Sequence, residues 1–308
     1  MGHGHSHGHA SSANATSASA RYVHRLGLVV GLGLLTFVIQ VVVGLRVSSL
    51  ALLSDSAHVF TDVLGVLTAT AAILLARRVA TRADRTFGLF RGEVFAALVN
   101  AVLLLAVAAW VIVEAIGRFR DPPAVPGLPV TVVAVIGLVL NVVAFLLLRT
   151  GAKESLNVRG AYLEVLADML GSAGVLVSGL LTLLFGWRYA DPVVGVAIGV
   201  FVLPRAVNLG RHALRILLQH APAGVDVGAM QAELCALDGV TDAHDLHVWT
   251  LTSGMEVASA HLIVAADAQP SAVLAAGQRL LAERYRIDHA TLQVEPEDAA
   301  QRCQELSW

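Results

Sequence analysis

The sequence predicts an α-helical membrane protein: six transmembrane helices followed by a C-terminal α+β cytosolic domain of ferredoxin-like αββαβ order. Three observations predict it. Of 308 residues, 56% are hydrophobic and only 14% charged, fewer charges than a soluble domain carries. Six apolar runs are long enough for a bilayer, which needs about 20 residues. Beyond residue 213 these runs stop, and helical patterns alternate with strand-like ones. A net charge of −2 argues against a general nucleic-acid binder, so no nucleic-acid partner is expected.

Residues 1–20, "MGHGHSHGHASSANATSASA", hold no core-forming side chains and read as a disordered tail. His3, His5, His7 and His9 alternate there with Gly and Ser, the composition of a loose metal-collecting arm. No basic segment leads into a short apolar run, so no cleavable signal peptide is expected. The six spans fall at 26–46, 49–76, 92–117, 128–149, 160–186 and 190–209, making 21–212 the membrane domain. Small-xxx-small pairs such as Gly27/Gly31 and Gly195/Gly199 suit close helix packing.

Arginine sets the expected orientation. Arg77, Arg78, Arg82, Arg85 and Arg91 crowd one connection, and Arg149, Lys153 and Arg159 another. Arg211 and Arg215 follow the sixth span, while the alternate connections hold less. Both termini are therefore expected in the cytoplasm of a multi-pass inner-membrane protein, with Arg118 and Arg120 as a mild exception outside.

In the expected cytosolic domain, 213–308, "VDVGAMQAELCALDGV" reads as an amphipathic helix ending at Gly239. "AHDLHVWTL" and "MEVASAHLIV" alternate as strands around the turn "TSG". "SAVLAAGQRLLAERY" reads as a second helix and "ATLQVEP" as a third strand, which makes a helix layer on a sheet. Cys235 and Cys303 form no CxxC pair, so no disulfide framework is expected, and a reducing side suits that region.

The informative residues are charges placed where a bilayer should be. In "SDSAHVFTD", His58 and Asp62 are four apart and share one helix face, with Asp55 on the same stripe. In "AYLEVLADMLGS" of the fifth span, Glu164 and Asp168 repeat that spacing. Each charge costs about 2.5–3.5 kcal/mol on insertion scales, so intramembrane ionisable groups are functional by default. Facing helices that each project such a pair make a four-ligand cage. One imidazole nitrogen with three carboxylate oxygens suits a divalent cation, zinc first, with cadmium and cobalt conceivable.

At these motifs the chain resembles the cation diffusion facilitators, closest to their bacterial zinc/cadmium/cobalt efflux (CzcD-like) branch. The resemblance rests on "SLALLSDSAHVFTD", "FGLFRGEVFAALVN", "YLEVLADMLGS", "DPVVG" and "DLHVWTLTSGMEVASAHL", spread over nearly the whole chain. It implies a homodimer, six membrane helices and a metallochaperone-like cytosolic domain per protomer, and divalent-metal efflux coupled to proton entry. It places the transport ligands on His58, Asp62, Glu164 and Asp168. Zinc-selective animal members carry His where Glu164 stands; a harder oxygen ligand relaxes zinc selectivity, so cadmium or cobalt becomes a credible co-substrate.

His244, His261 and Glu295 are the ligand candidates of the cytosolic domain, where related proteins bind metal and some add a Cys soon after the Glu. Zinc is thus expected as substrate and as a structural or regulatory ion; the plain alternative is a satisfied sheet histidine. Cys303 lies near the cysteine position, and His220, His247 and His289 are weaker candidates. Glu93 reads as a partner of Arg91, Asn141 as an interhelical hydrogen-bonding group or an outer partner of the metal, Asp55 as an entrance or supporting group, and Asp191 as a helix cap. No HExxH occurs, so an intramembrane metalloprotease is not expected and the chain reads as no enzyme. A metal-gated channel and a non-transporting metal sensor are the remaining rivals.

Overall fold

The computed structural model describes residues 10–79, 87, 90–150, 156–252 and 254–297, and only the backbone course of helical residues 10–24, 65–79, 156–158 and 160. His3, His5, His7, His9 and Cys303 lie outside the described residues. The chain divides into two compact units, one taking residues up to Thr70 with Val99–Leu209, the other Ala71–Leu98 with the chain from Gly210 onward.

Six long helices come first: α1 (Ala10–Val47), α2 (Leu50–Val79), α3 (Phe90–Arg120), α4 (Gly127–Leu148), α5 (Leu156–Phe185) and α6 (Ala190–Leu217). Among the described residues, Arg25–Val47, α3, α4, Ala161–Phe185 and α6 are long and apolar enough to cross a membrane. α2 has 30 residues, about 45 Å at 1.5 Å per residue, with Asp55, His58 and Asp62 breaking its apolar run. A helix is the form such segments take, because it satisfies every backbone group internally where no water can. α1 starts earlier than expected, so the tail is helical from Ala10. Its Ala/Ser stretch extends a helix already nucleated by the apolar run, and alanine adds turns at little cost.

In the first unit, Ala51, Leu52, Leu104, Val130, Val133, Ala134, Val175, Ile198, Val202 and Ala206 form one buried core drawn from α2 to α6. Small residues let backbones meet. A Cβ on Gly127 would lie 2.6 Å from the Leu183 nitrogen, and one on Gly179 2.8 Å from the Thr131 nitrogen, so α4 and α5 pack closer than any larger residue allows. Gly195 packs on Leu50 as its spacing suggests, but a Cβ on Gly27 or Gly31 would meet nothing within 4 Å. That pair therefore makes no close packing with the described residues.

Asp191 corrects the expected cap. It lies inside the first turn of α6 and serves a different helix: its carboxylate accepts from the backbone N–H groups of Leu50 (2.7 Å) and Ala51 (3.4 Å) and from the Ser49 hydroxyl. The first N–H groups of any helix lack internal partners, and here a neighbouring helix supplies them. Arg118, an exception to the arginine pattern, is neutralised in place: its Nη1 lies 3.8 Å from Asp191 and donates to the Ser48 carbonyl, and its Nε lies 3.2 Å from Glu114.

The second unit contains α7 (Val227–Cys235), β1 (Val240–Thr252), β2 (Met255–Val264), α8 (Pro270–Tyr285) and β3 (His289–Pro296), the expected αββαβ order. Asp226 caps α7 through the Ala229 N–H, and the helix stops at Cys235, short of the expected Gly239, which instead turns the chain at φ +81°. The sheet order is β1-β2-β3, antiparallel then parallel. Met230, Leu234, Val248, Leu262, Val264, Val273, Leu281 and Ile287 fill its core. Glu93 Oε2 accepts from the Thr252 hydroxyl at 3.3 Å, a partner that the sequence did not indicate.

Candidate metal centres

In the first unit, the one-turn spacing on α2 and the matching spacing on α5 bring ligand types together. His58 Nε2 lies 3.8 Å from Asp62 Oδ2 and 3.5 Å from Asp168 Oδ1. One ligand atom from each of His58, Asp62 and Asp168 falls within 4.8 Å of the others, and His58 and Asp168 are buried. Both ring nitrogens of His58, Oδ2 of Asp62 and Oδ1 of Asp168 lack hydrogen-bond partners within the protein. Buried polar atoms are almost always partnered, so the three that converge, His58 Nε2, Asp62 Oδ2 and Asp168 Oδ1, form a donor set that suits a cation.

Glu164, the fourth residue expected in the cage, stands outside that three-residue group. Its Oε2 forms an ion pair with Nη2 of Arg205 on α6, and the same nitrogen lies 2.8 Å from Asp62 Oδ1. Arg205 is the residue that sequence reasoning missed. The signal was present, since an arginine inside the sixth apolar run must find counter-charges in the bundle.

Asp55 lies one turn from His58 and is fully buried, so it is no entrance group. Its Oδ2 accepts from Gln40 Nε2 of α1 (2.6 Å) and from the Ser172 hydroxyl of α5 (3.3 Å). Asn141 of α4 donates to the Ser172 oxygen at 3.2 Å, the interhelical bond expected of it. A Cβ on Gly171 would strike Asp55 Oδ1, so glycine is what admits the carboxylate against α5. α1 and α5 thus donate directly to this carboxylate of α2, and α4 joins one bond further out through Ser172, a supporting role.

The second centre lies in the second unit. The β1/β2 register sets His244 opposite His261, with ring centroids 5.3 Å apart. β3 runs parallel to β2 with Glu295 beside Ile263, and Glu295 Oε1 lies 2.9 Å from His261 Nδ1. One ligand atom from each of His244, His261 and Glu295 falls within 4.8 Å of the others. A register shift between His244 and His247 places Asp245 at φ +50°, a left-handed conformation that Asp tolerates better than most. The bulge brings Asp245 to 2.9 Å from His247 and 3.8 Å from His261. His247 is thereby engaged at the rim as an ordinary strand residue, and Asp245 is a second acid that spacing alone did not reveal. His289 instead meets Phe87 edge-on, with centroids 6.5 Å apart.

Known proteins share both halves of the chain. The family model described as the cation efflux transmembrane domain matches residues 26–218, and that described as the cation efflux protein cytoplasmic domain matches 222–297. The chain is 41% identical over 262 residues to the metal cation efflux system protein CzcD of Cupriavidus metallidurans, covering 84% of this chain and 83% of that one. It is 34% identical over 279 residues to the cadmium, cobalt and zinc/H(+)-K(+) antiporter of Bacillus subtilis, covering 87% and 88%. It is 37% identical over 259 residues to the zinc transporter ZitB of Escherichia coli, covering 83% and 82%.

Proposed function

The chain belongs to the cation efflux family, and from that premise we propose that it exports divalent metal cations from the cytoplasm in exchange for protons. Zinc is the leading substrate, with cadmium and cobalt as co-substrates. One observation carries the reading: His58, Asp62 and Asp168 converge inside the helix bundle with their ligand atoms unpartnered. One nitrogen and two or three carboxylate oxygens suit zinc, and a Glu in place of a second His suits a less selective site.

The chemistry of the ligands supplies the exchange. A metal needs a neutral imidazole and ionised carboxylates, so the site holds either a metal ion or protons. Rocking of helices around a fixed site near the midplane gives alternating access. The energetics set the direction. At about 100 mV, inside negative, exporting a divalent ion costs about 4.6 kcal/mol, twice the per-charge figure. Each entering proton returns about 2.3 kcal/mol from voltage and about 1.4 kcal/mol per pH unit of gradient. One proton nearly offsets export, and two exceed it.

The protein is a multi-pass inner-membrane protein, and the arginine-rich connections favour cytoplasmic termini. The cytosolic domain joins two copies as a homodimer, and metal at His244, His261 and Glu295 regulates them. Proteoliposomes test the coupling: zinc flux should fall when the pH gradient is collapsed, and flux indifferent to that gradient would sink the antiport reading.

A further inference from the structure

Among the described residues, Arg205 is the cation that the fold places against Asp62 and Glu164. It sits on α6 immediately after Pro204, a residue that leaves the Val200 carbonyl without its usual helical donor. From there it grips Glu164 and lies 2.8 Å from Asp62 Oδ1. The two contacts are not equivalent. Asp62 gives Arg205 one oxygen and keeps Oδ2 toward His58, so it can serve guanidinium and metal together. Glu164 meets Arg205 through Oε2 and is absent from the group of three converging ligands. A four-ligand cage therefore requires Glu164 to move toward the other three ligands.

We propose that Arg205 is a tethered counter-ion that competes with the transported metal for Glu164. This rests on the transport-site reading above. In the metal-free state the guanidinium stands in for the cargo, so three carboxylates never face one another uncompensated in a medium where bare charge is costly. When metal arrives, Glu164 swings to it, and Arg205 keeps its hold on Asp62. When metal leaves, Arg205 recaptures Glu164 and lowers the barrier to release. Affinity is thereby held down in favour of turnover, since a ligand shared with an internal cation binds cargo less tightly than a free one. The role is one of positioning: Arg205 acts on the metal through Glu164.

Zinc titration of the purified full-length protein, alongside transport in proteoliposomes, tests this. The transport-site component is defined as the zinc binding that Asp168→Asn removes. If that substitution removes none, the site reading itself fails, whatever Arg205 does. Arg205→Gln should tighten that component about tenfold, within the usual range for coupling between two ligands. In transport, KM and kcat should fall together, because release slows; a merely structural loss would not tighten binding. In a Glu164→Gln background the same substitution should change affinity by less than about twofold. Should the Gln variant not fold, Arg205→Lys carries the test, with an expected tightening of about threefold because the shorter side chain sets its ammonium back from Glu164 and holds it less firmly. Unchanged or weaker binding, or equal tightening without Glu164, overturns the proposal.

Discussion

Replacing Asp168 by Asn separates a ligand from a structural group. Asp168 is 8% exposed, and its Oδ1 faces His58 Nε2 at 3.5 Å without a hydrogen bond. Asn keeps the shape but offers a neutral oxygen to the metal, and one of three converging donors loses its charge. Loss of an outer partner of a metal ligand costs 10- to 100-fold in affinity. Weakening a ligand itself should therefore cost at least about a hundredfold, or about 2.7 kcal/mol. The fold should respond in the opposite direction. The metal-free site holds Asp62, Glu164 and Asp168 around one guanidinium, so removing a buried negative charge relieves repulsion, with a gain of about 1 kcal/mol as is common for functional residues. Zinc titration reads the first effect and thermal unfolding of metal-free protein in detergent reads the second. Unchanged zinc affinity, or a fall in the metal-free midpoint, would refute the reasoning, because a carboxylate kept for hydrogen bonding would show that pattern.

Asp191→Ala strips α2 of its cross-helix cap and leaves Arg118 with only Glu114 and a carbonyl; a loss of about 3 kcal/mol is expected in unfolding measurements, against about 1 kcal/mol for Asn, which still accepts. Gln40→Leu takes the 2.6 Å donor from the fully buried Asp55 and should cost about 2 kcal/mol in the same assay while leaving zinc affinity within about threefold, since Gln40 bonds Asp55, which is not one of the converging group His58, Asp62 and Asp168. His261→Ala removes the hub between His244 and Glu295, so zinc binding by the cytosolic domain should weaken at least about tenfold in titration, with flux at saturating zinc retained.

Much of this was legible in the chain because the bilayer tolerates few solutions. Spans, their order and the one-turn pairs His58/Asp62 and Glu164/Asp168 follow from hydropathy and helix period alone. The strand pattern likewise placed His244 and His261 on facing strands. What escaped was partner choice between elements far apart in sequence. Periodicity says that Asp191 opens a helix but not that its carboxylate turns to α2, 141 residues away. It says that Arg205 needs counter-charges but not that Glu164 and Asp62 are the ones. Asp245 escaped for a local reason: a bulge breaks the alternation that strand reading assumes and turns the side chain toward His261.

The two acidic levels of α2 show how the same residue type is put to different uses. Asp55 and Asp62 sit two turns apart on one helix, and both needs for charge compensation are met from other helices. Asp55 receives its donors from neutral groups, Gln40 and Ser172, whose geometry is shared among α1, α4 and α5. Neutral donors hold a carboxylate without a net charge to exchange, so that level acts as a fixed joint. Asp62 receives a guanidinium on one oxygen and nothing on the other, beside a histidine with two idle nitrogens. A level compensated by one cation and lined with idle ligands can take another cation and give it up again. Leaving His58 Nε2, Asp62 Oδ2 and Asp168 Oδ1 without hydrogen bonds costs stability, and under the proposed exchange a bound ion offsets that cost in part of the cycle.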